Sequence, residues 1–390
     1  MERLKECVEE LLSFTLNSHI NQTLGFDLGL SSQFCSNLLL REANDAVSVA
    51  TDVVDFDQDS LQGVPLCPLY KRLALALVRS VSCGAFCRTY NDGVLVHGDG
   101  LLKQREEEWS ELILNKGDEL INILKTVDSE LDVQEPFFSL IKDGLKTVEG
   151  RCAIDDYNRL RPGSMVLLNK CIMLEVQTVR HYASFSELLE AESLAKVLPG
   201  VKTVEEGMEI YRKFYVEEKE RLNGVLAICV SKLATQPYIT LATILSGLGY
   251  DGIQSLLGLA HTPGTISDAL PPPRSTLLSS FLLPFKPNVK GSTLTQGARA
   301  LAKHDNRSSN RYWGIFNGSD SDKNRLAMDV ICRLIAHCCW LNVHIVQPHG
   351  IVFEIRVADG YGARWSKDGT KFIGFLEPYM EDGHSKGWKH

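Results

Sequence analysis

The hydrophobic period of this chain changes near Glu135, from the three-to-four spacing of helices to the alternation of strands, so a fold of one secondary-structure class is excluded. Upstream, Leu4, Cys7, Val8, Leu11 and Leu12 share one face of an expected helix, and Glu2, Glu6, Glu9 and Glu10 occupy the other. The same spacing predicts helices at roughly 31–41, 68–88 and 103–131, the last with Trp109, Leu112, Ile113 and Leu120 on its apolar side. After Glu135 come short β-type runs, SMVLLNKCIMLEVQTVRHY (164–182) and GVLAICVSKL (224–233). Between them lie two helical stretches, SFSELLEAESLAKVLPG and VEEGMEIYRKFYVEEKERL. Strands with helices inserted over so short a span suggest a small α+β domain or a partly open barrel.

At 390 residues the chain exceeds one hydrophobic core. Composition divides it into an acidic helical domain (1–134), the α+β domain (135–235), a helical segment with a Pro-rich linker (236–294) and a C-terminal α+β unit (295–390). The linker reading rests on PPPR at 271–274 with Pro284 and Pro287. In the last unit DKNRLAMDVICRLIAHCCWL reads as a helix. IVFEIRV then alternates, with Ile351, Phe353, Ile355 and Val357 on one face and Val352, Glu354 and Arg356 on the other. Turn chemistry at DGYG and KDG would return ARWS and TKFIGFL as further strands. The expected class is α+β: an all-α N-terminal region, a central small barrel with flanking helices, and a C-terminal helix plus β-meander.

The formal charge of −8 argues against a protein that coats nucleic acid through bulk electrostatics. The acidity is concentrated in the first third, whose helices read as a packing module or a docking face for a protein partner. Eleven cysteines without repeated spacing fit a reducing compartment, and MERLKECVEELLSF is no secretory leader, so a cytoplasmic or nuclear location is expected. The uncharged stretch from Leu233 to Tyr250 is too polar to span a bilayer, and no membrane partner is expected. Cys83 with Cys87, and His337, Cys338 and Cys339 with His344 and His349, read as packing rather than metal ligands. No phosphate loop, GxSxG or HExxH occurs, so neither metal nor cofactor is expected.

One segment resists a purely structural account. LIKDGLKTVEGR (140–151) turns at Gly144 and then sets Lys146, Thr147, Glu149 and Arg151 on what should be a strand. Extended backbone would project Thr147, Glu149 and Arg151 to one face and Val148 to the other. That polar face is either a solvated, salt-bridged edge or the floor of a cleft, with Lys146 directed at an anion or carbonyl.

The run EPFFSLIKDGLKTVEGR followed by LRPGSMVLL resembles the signature of the ASCH family, and the likeness continues through residues 135–235. The whole chain resembles plant-type members described as RNA-binding, in which an acidic helical N-terminus precedes the domain. The resemblance implies a PUA-like fold with a cleft on the Lys-Thr-Val-Glu-Gly-Arg strand that binds RNA or a modified nucleoside. Lys146, Thr147, Glu149 and Arg151 would line it, Lys146 and Arg151 meeting phosphate or base oxygens and Glu149 fixing the geometry or accepting from a base amino group. Tyr157, Tyr182, Tyr211 and Tyr215 are available stacking platforms.

A bacterial branch of the family hydrolyses N4-acetylcytidine with a lysine, a threonine nucleophile three residues later, and a glutamate. Glu149 stands at that threonine position, which favours a non-catalytic cleft. The alternatives are an amidohydrolase acting on an acylated pyrimidine nucleoside, with Lys146 and Glu149 catalytic and Glu190 or Glu192 assisting, and a protein-interaction scaffold with a vestigial cleft. The C-terminal tail gathers Tyr361, Trp365, Phe372, Phe375 and Trp388 with Arg364, Lys371 and Lys386, which reads either as a stacking surface or as an ordinary sheet core.

Overall fold

A computed structural model describes residues 2–42, 61–89, 100–289, 293–304 and 311–378. In chain order the elements are α1 (Glu2–Ile20), α2 (Ser32–Leu39), α3 (Leu69–Cys83), α4 (Gly100–Lys125), β1 (Ser129–Leu131), α5 (Phe137–Lys142), β2 (Val148–Cys152), β3 (Met165–Leu168) and β4 (Ile172–Tyr182). They continue with α6 (Phe185–Glu192), α7 (Leu194–Val197), α8 (Val204–Arg212), α9 (Glu217–Asn223), β5 (Val225–Lys232), α10 (Pro237–Leu257), α11 (Arg274–Leu282), α12 (Gln296–Leu301) and α13 (Asp320–His337). The chain closes with β6 (Trp340–Val346), β7 (Gly350–Arg356), β8 (Gly362–Ser366) and β9 (Phe372–Leu376). They group into two compact units, residues 1–15 with 115–244, and residues 16–114 with 245–390. Among the described residues no helix is long and apolar enough to cross a membrane.

The first unit is built on a curled five-stranded sheet in the order β1-β3-β4-β5-β2. Only the β1–β3 pair is parallel. Its central strand, β4, pairs with β3 through Ile172–Glu175 and with β5 through Leu174–Tyr182. A bulge between Val176 and Thr178 bends β4 and lets one strand serve two neighbours, closing the sheet into a half-barrel. Helices α6 and α8 open on side-chain caps, Ser184 accepting from the Glu187 amide and Thr203 from the Glu206 amide. Their apolar faces meet β2 and β5 in a core that includes Val148, Cys152, Phe185, Leu188, Leu189, Tyr211 and Val225.

In the second unit a four-stranded antiparallel meander, β6-β7-β8-β9, buries Leu341, Val343, Phe353, Ile355, Ala363 and Trp365 on one face. Helices α11, α12 and α13 contact this sheet, and the Trp365 indole donates to the Leu277 carbonyl at 3.2 Å. Helix α13 starts on a capping box between Ser319 and Asp322. It ends at His337, shorter than its apolar spacing suggests, because Trp340–Val346 pairs along its whole length with Gly350–Arg356. Here cross-strand pairing of a β-branched and aromatic run overrides local helical periodicity. The PPPR stretch lies in this unit with Pro271, Pro272 and Arg274 buried, the Arg274 guanidinium donating to the Val64 carbonyl.

Candidate functional site

Strand β2 is the edge of the first sheet and pairs with β5 from Val148↔Cys229 to Cys152↔Val225. The register sends Val148 and Cys152 into the core and leaves Glu149 and Arg151 on the other face, as alternation requires. Lys146 sits two residues before the strand and is 2% exposed. Its ammonium donates to the Val148 carbonyl at 2.7 Å and to the Val197 carbonyl, and lies 3.1 Å from a Glu149 carboxylate oxygen. Three acceptors match its three N–H bonds. Glu149 is 8% exposed, and its other oxygen accepts from Arg151 Nε at 2.9 Å. Arg151 Nη2 donates to the Asp132 carbonyl at 2.6 Å.

Burial on its own would neutralise these groups, and their mutual contacts decide the outcome. Burial pushes Lys146 below its ordinary pKa, with the Glu149 charge opposing. At Glu149 burial pushes up, but the Lys146 and Arg151 charges and hydrogen bonds outweigh it and hold the carboxyl below the usual range. At Arg151 burial is likewise overcome, chiefly by Glu149, and the guanidinium is held more firmly protonated. A carboxylate between two cations is the arrangement that makes a buried charge tolerable.

Above the triad is a cavity of about 300 Å³, within the size of a small-ligand site. Its floor is Lys146, Glu149, Gly150 and Arg151. Ile210, Tyr211, Phe214 and Tyr215 line it from one stretch of the chain, and Asp132, Val133, Gln134 and Phe137 from another. Asn169, at a positive φ of 46°, holds that second stretch by accepting from the Val133 amide at 2.7 Å and donating to the Val133 carbonyl at 2.8 Å. Tyr211 stacks on Phe185 with centroids 4.0 Å apart, and its hydroxyl lies directly over Gly150, where a Cβ would meet it at 2.3 Å. Burial keeps the Tyr211 hydroxyl protonated well beyond the ordinary tyrosine range.

Of the residues expected from sequence, Lys146, Glu149 and Arg151 converge on this cavity, joined by Tyr211 and Tyr215. Tyr157 stands behind Arg151, its ring centroid 5.6 Å from the guanidinium carbon, and does not line the cavity. Thr147 is outside the lining and takes part through its backbone, its amide donating to the Lys196 carbonyl and its carbonyl accepting from the Val230 amide. Tyr182 belongs to a separate cluster in which its hydroxyl and Arg180 both donate to Glu192. Glu190 is exposed, and neither Glu190 nor Glu192 lines the cavity. Sequence reasoning missed Phe137, Asn169 and Phe214. Phe214 is 49% exposed beside two buried or half-buried tyrosines, and the KFY run after the α8 pattern is the only sequence trace of it.

The second unit holds another charged group. Glu354 is 2% exposed and accepts from Arg364 Nη2 at 2.6 Å and from Arg356 Nε at 2.7 Å, with His344 Nε2 at 3.4 Å. Burial opposes its ionisation, but His344, Arg356 and Arg364 lower its pKa to about 2. Of the tail aromatics, Tyr361, Trp365 and Phe375 are buried, Phe372 is half-buried against Phe281, and Trp388 and Lys386 lie outside the described residues. Among the described residues no group of three or more His, Cys, Asp and Glu side chains is placed to hold a metal.

Comparison with known proteins bears on two stretches of the chain. A family model described as the ASCH domain matches residues 131–234, and one described as the CdiA C-terminal tRNase toxin domain matches residues 286–377. Among solved structures, a hypothetical protein, PH0355, is 40% identical over 27% of this chain and 98% of its own, with a TM-score of 0.27. Protein PF0455 from Pyrococcus furiosus is 42% identical over 27% of this chain and 97% of its own, with a TM-score of 0.25. No curated protein matches.

Proposed function

Through residues 131–234 the chain belongs to the ASCH-domain family, and on that premise we propose that the cavity over β2 binds RNA or a modified nucleoside without catalysing its conversion. The observation that carries this reading is the convergence of Lys146, Glu149 and Arg151 under aromatic walls in a cavity of nucleoside size. Unstacked bases are recognised in this way, by rings for their faces and buried polar groups for their edges. Lys146, with every N–H occupied, acts as a strut for Glu149 and not as an attacking or proton-transferring group.

Fluorescence anisotropy with short single-stranded RNAs tests the proposal. Arg151→Ala should weaken binding roughly tenfold or more, and Tyr182→Phe, outside the cavity, should leave it unchanged. Retention of RNA unaffected by Arg151→Ala would favour the scaffold reading. Release of acetate from N4-acetylcytidine, lost in Glu149→Gln, would favour the hydrolase.

A second reading concerns the C-terminal unit. The match of residues 286–377 to a tRNase toxin domain supports an action of this unit on tRNA, with His344 and Arg356 as the partly exposed members of the Glu354 cluster. Incubating the full chain with total tRNA should then yield cleavage that His344→Ala abolishes and Arg151→Ala does not. Intact tRNA after prolonged incubation would remove this reading.

A further inference from the structure

The hydrogen-bonding valences left open in the β2 cavity say what kind of group it accepts. The Lys146 ammonium has three acceptors for its three N–H bonds and is 2% exposed, so it offers nothing to a ligand. Arg151 is engaged through Nε by Glu149 and through Nη2 by the Asp132 carbonyl, and lies over the Tyr157 ring. A phosphate entering here would find the Lys146 ammonium fully engaged, would face the Glu149 carboxylate, and would have to draw on the remaining N–H bonds of an Arg151 already paired with that carboxylate. Glu149 is the acceptor with capacity to spare: an ionised carboxylate accepts about four hydrogen bonds, and its two oxygens take one each, from Lys146 and Arg151. It lines the cavity, and the two cations keep it ionised. The group this carboxylate can take up is therefore an N–H donor.

Phe214 supplies the complementary surface. It follows α8 in a turn closed by its own amide donating to the Tyr211 carbonyl at 3.0 Å, it lines the cavity, and it is 49% exposed. A large ring held so open beside a polar pocket loses water when a flat ligand covers it.

We propose that Glu149 makes this cavity selective for nucleobases that present an exocyclic amino group, with Phe214 as the ring on which the base stacks and the phosphodiester left outside. This rests on the binding function proposed above. Cytosine, adenine and guanine can donate an amino N–H to the carboxylate. Uracil stacked in the pose of cytosine turns its O4 carbonyl toward it, and could offer its single imide N–H only by shifting along the ring, with a carbonyl oxygen on either side of that N–H facing the carboxylate.

The test uses the full chain and pentaribonucleotides that differ only at a central base flanked by abasic residues, read by isothermal titration. Cytidine, adenosine and guanosine should bind about tenfold or more tighter than uridine, and N4,N4-dimethylcytidine should fall to the uridine level. Phe214→Ala should weaken all of them by roughly tenfold without changing their order. Glu149→Gln, whose amide donates as well as accepts, should narrow or invert the preference for cytidine over uridine. If that variant does not fold, the base series on the parent and on Phe214→Ala decides. Equal binding of cytidine, uridine and the dimethylated base overturns the selectivity and leaves the binding function standing. Absence of binding by every base overturns both.

Discussion

Gly150 is the position where one methyl group probes the site and the core together. A Cβ there would stand 2.3 Å from the Tyr211 hydroxyl oxygen and 2.9 Å from its ring carbon Cζ. To regain van der Waals contact the end of the tyrosine must retreat by roughly 1 Å. The ring has little freedom to do so, being 5% exposed and stacked at 4.0 Å and 14° on Phe185, which is itself fully buried. Overpacking of this kind costs about 1–3 kcal/mol. Gly150→Ala should therefore destabilise the first unit by about that amount, measured by hydrogen exchange at β2 and α8 amides under increasing denaturant. Tyr211→Phe removes the closest atom and leaves the second, so the double variant should recover about 1 kcal/mol relative to additivity. A Gly150→Ala protein within about 0.5 kcal/mol of the parent, or an additive double variant, would refute the placement of Tyr211 over β2 and with it the shape of the cavity wall.

Other consequences are equally direct. Lys146→Met strands Glu149 beside Arg151 alone and should cost about 3–5 kcal/mol in chemical denaturation. Because burial lowers the folded-state pKa of Lys146, the parent should gain stability as pH rises from that lowered value toward the ordinary 10.5, a rise the variant lacks. Glu354, ordinarily near 4.5, titrates at about 2 when folded, so its contribution of about 3 kcal/mol is complete above the ordinary value and is lost as pH falls toward the folded one. Acid unfolding of the C-terminal sheet followed by tryptophan fluorescence should show this dependence in the parent and not in Glu354→Gln. Thr203→Ala removes the cap of α8 and should cost about 1 kcal/mol, with faster exchange of the Glu206 amide.

The periodicity change at Glu135, the helical spacing and the alternating runs were legible because each depends on residues close in the chain, and so was the clustering of Lys146, Glu149 and Arg151, spaced along one short segment. What those charges do was decided elsewhere. Lys146 is occupied because the Val197 carbonyl arrives from α7, and Tyr182 is diverted from the cavity by Glu192 on α6. Phe214 and Asn169 reach the cavity from segments more than fifteen residues away from β2. Likewise the strand from Trp340 to Val346 exists because Gly350–Arg356 pairs with it, against the helical spacing of the run that ends in CCWL. Local pattern fixes which face of an element is polar. The partner that meets that face, and hence whether a charge is spent on structure or left open to a ligand, is set by contacts between residues far apart in sequence, which only the folded chain brings together.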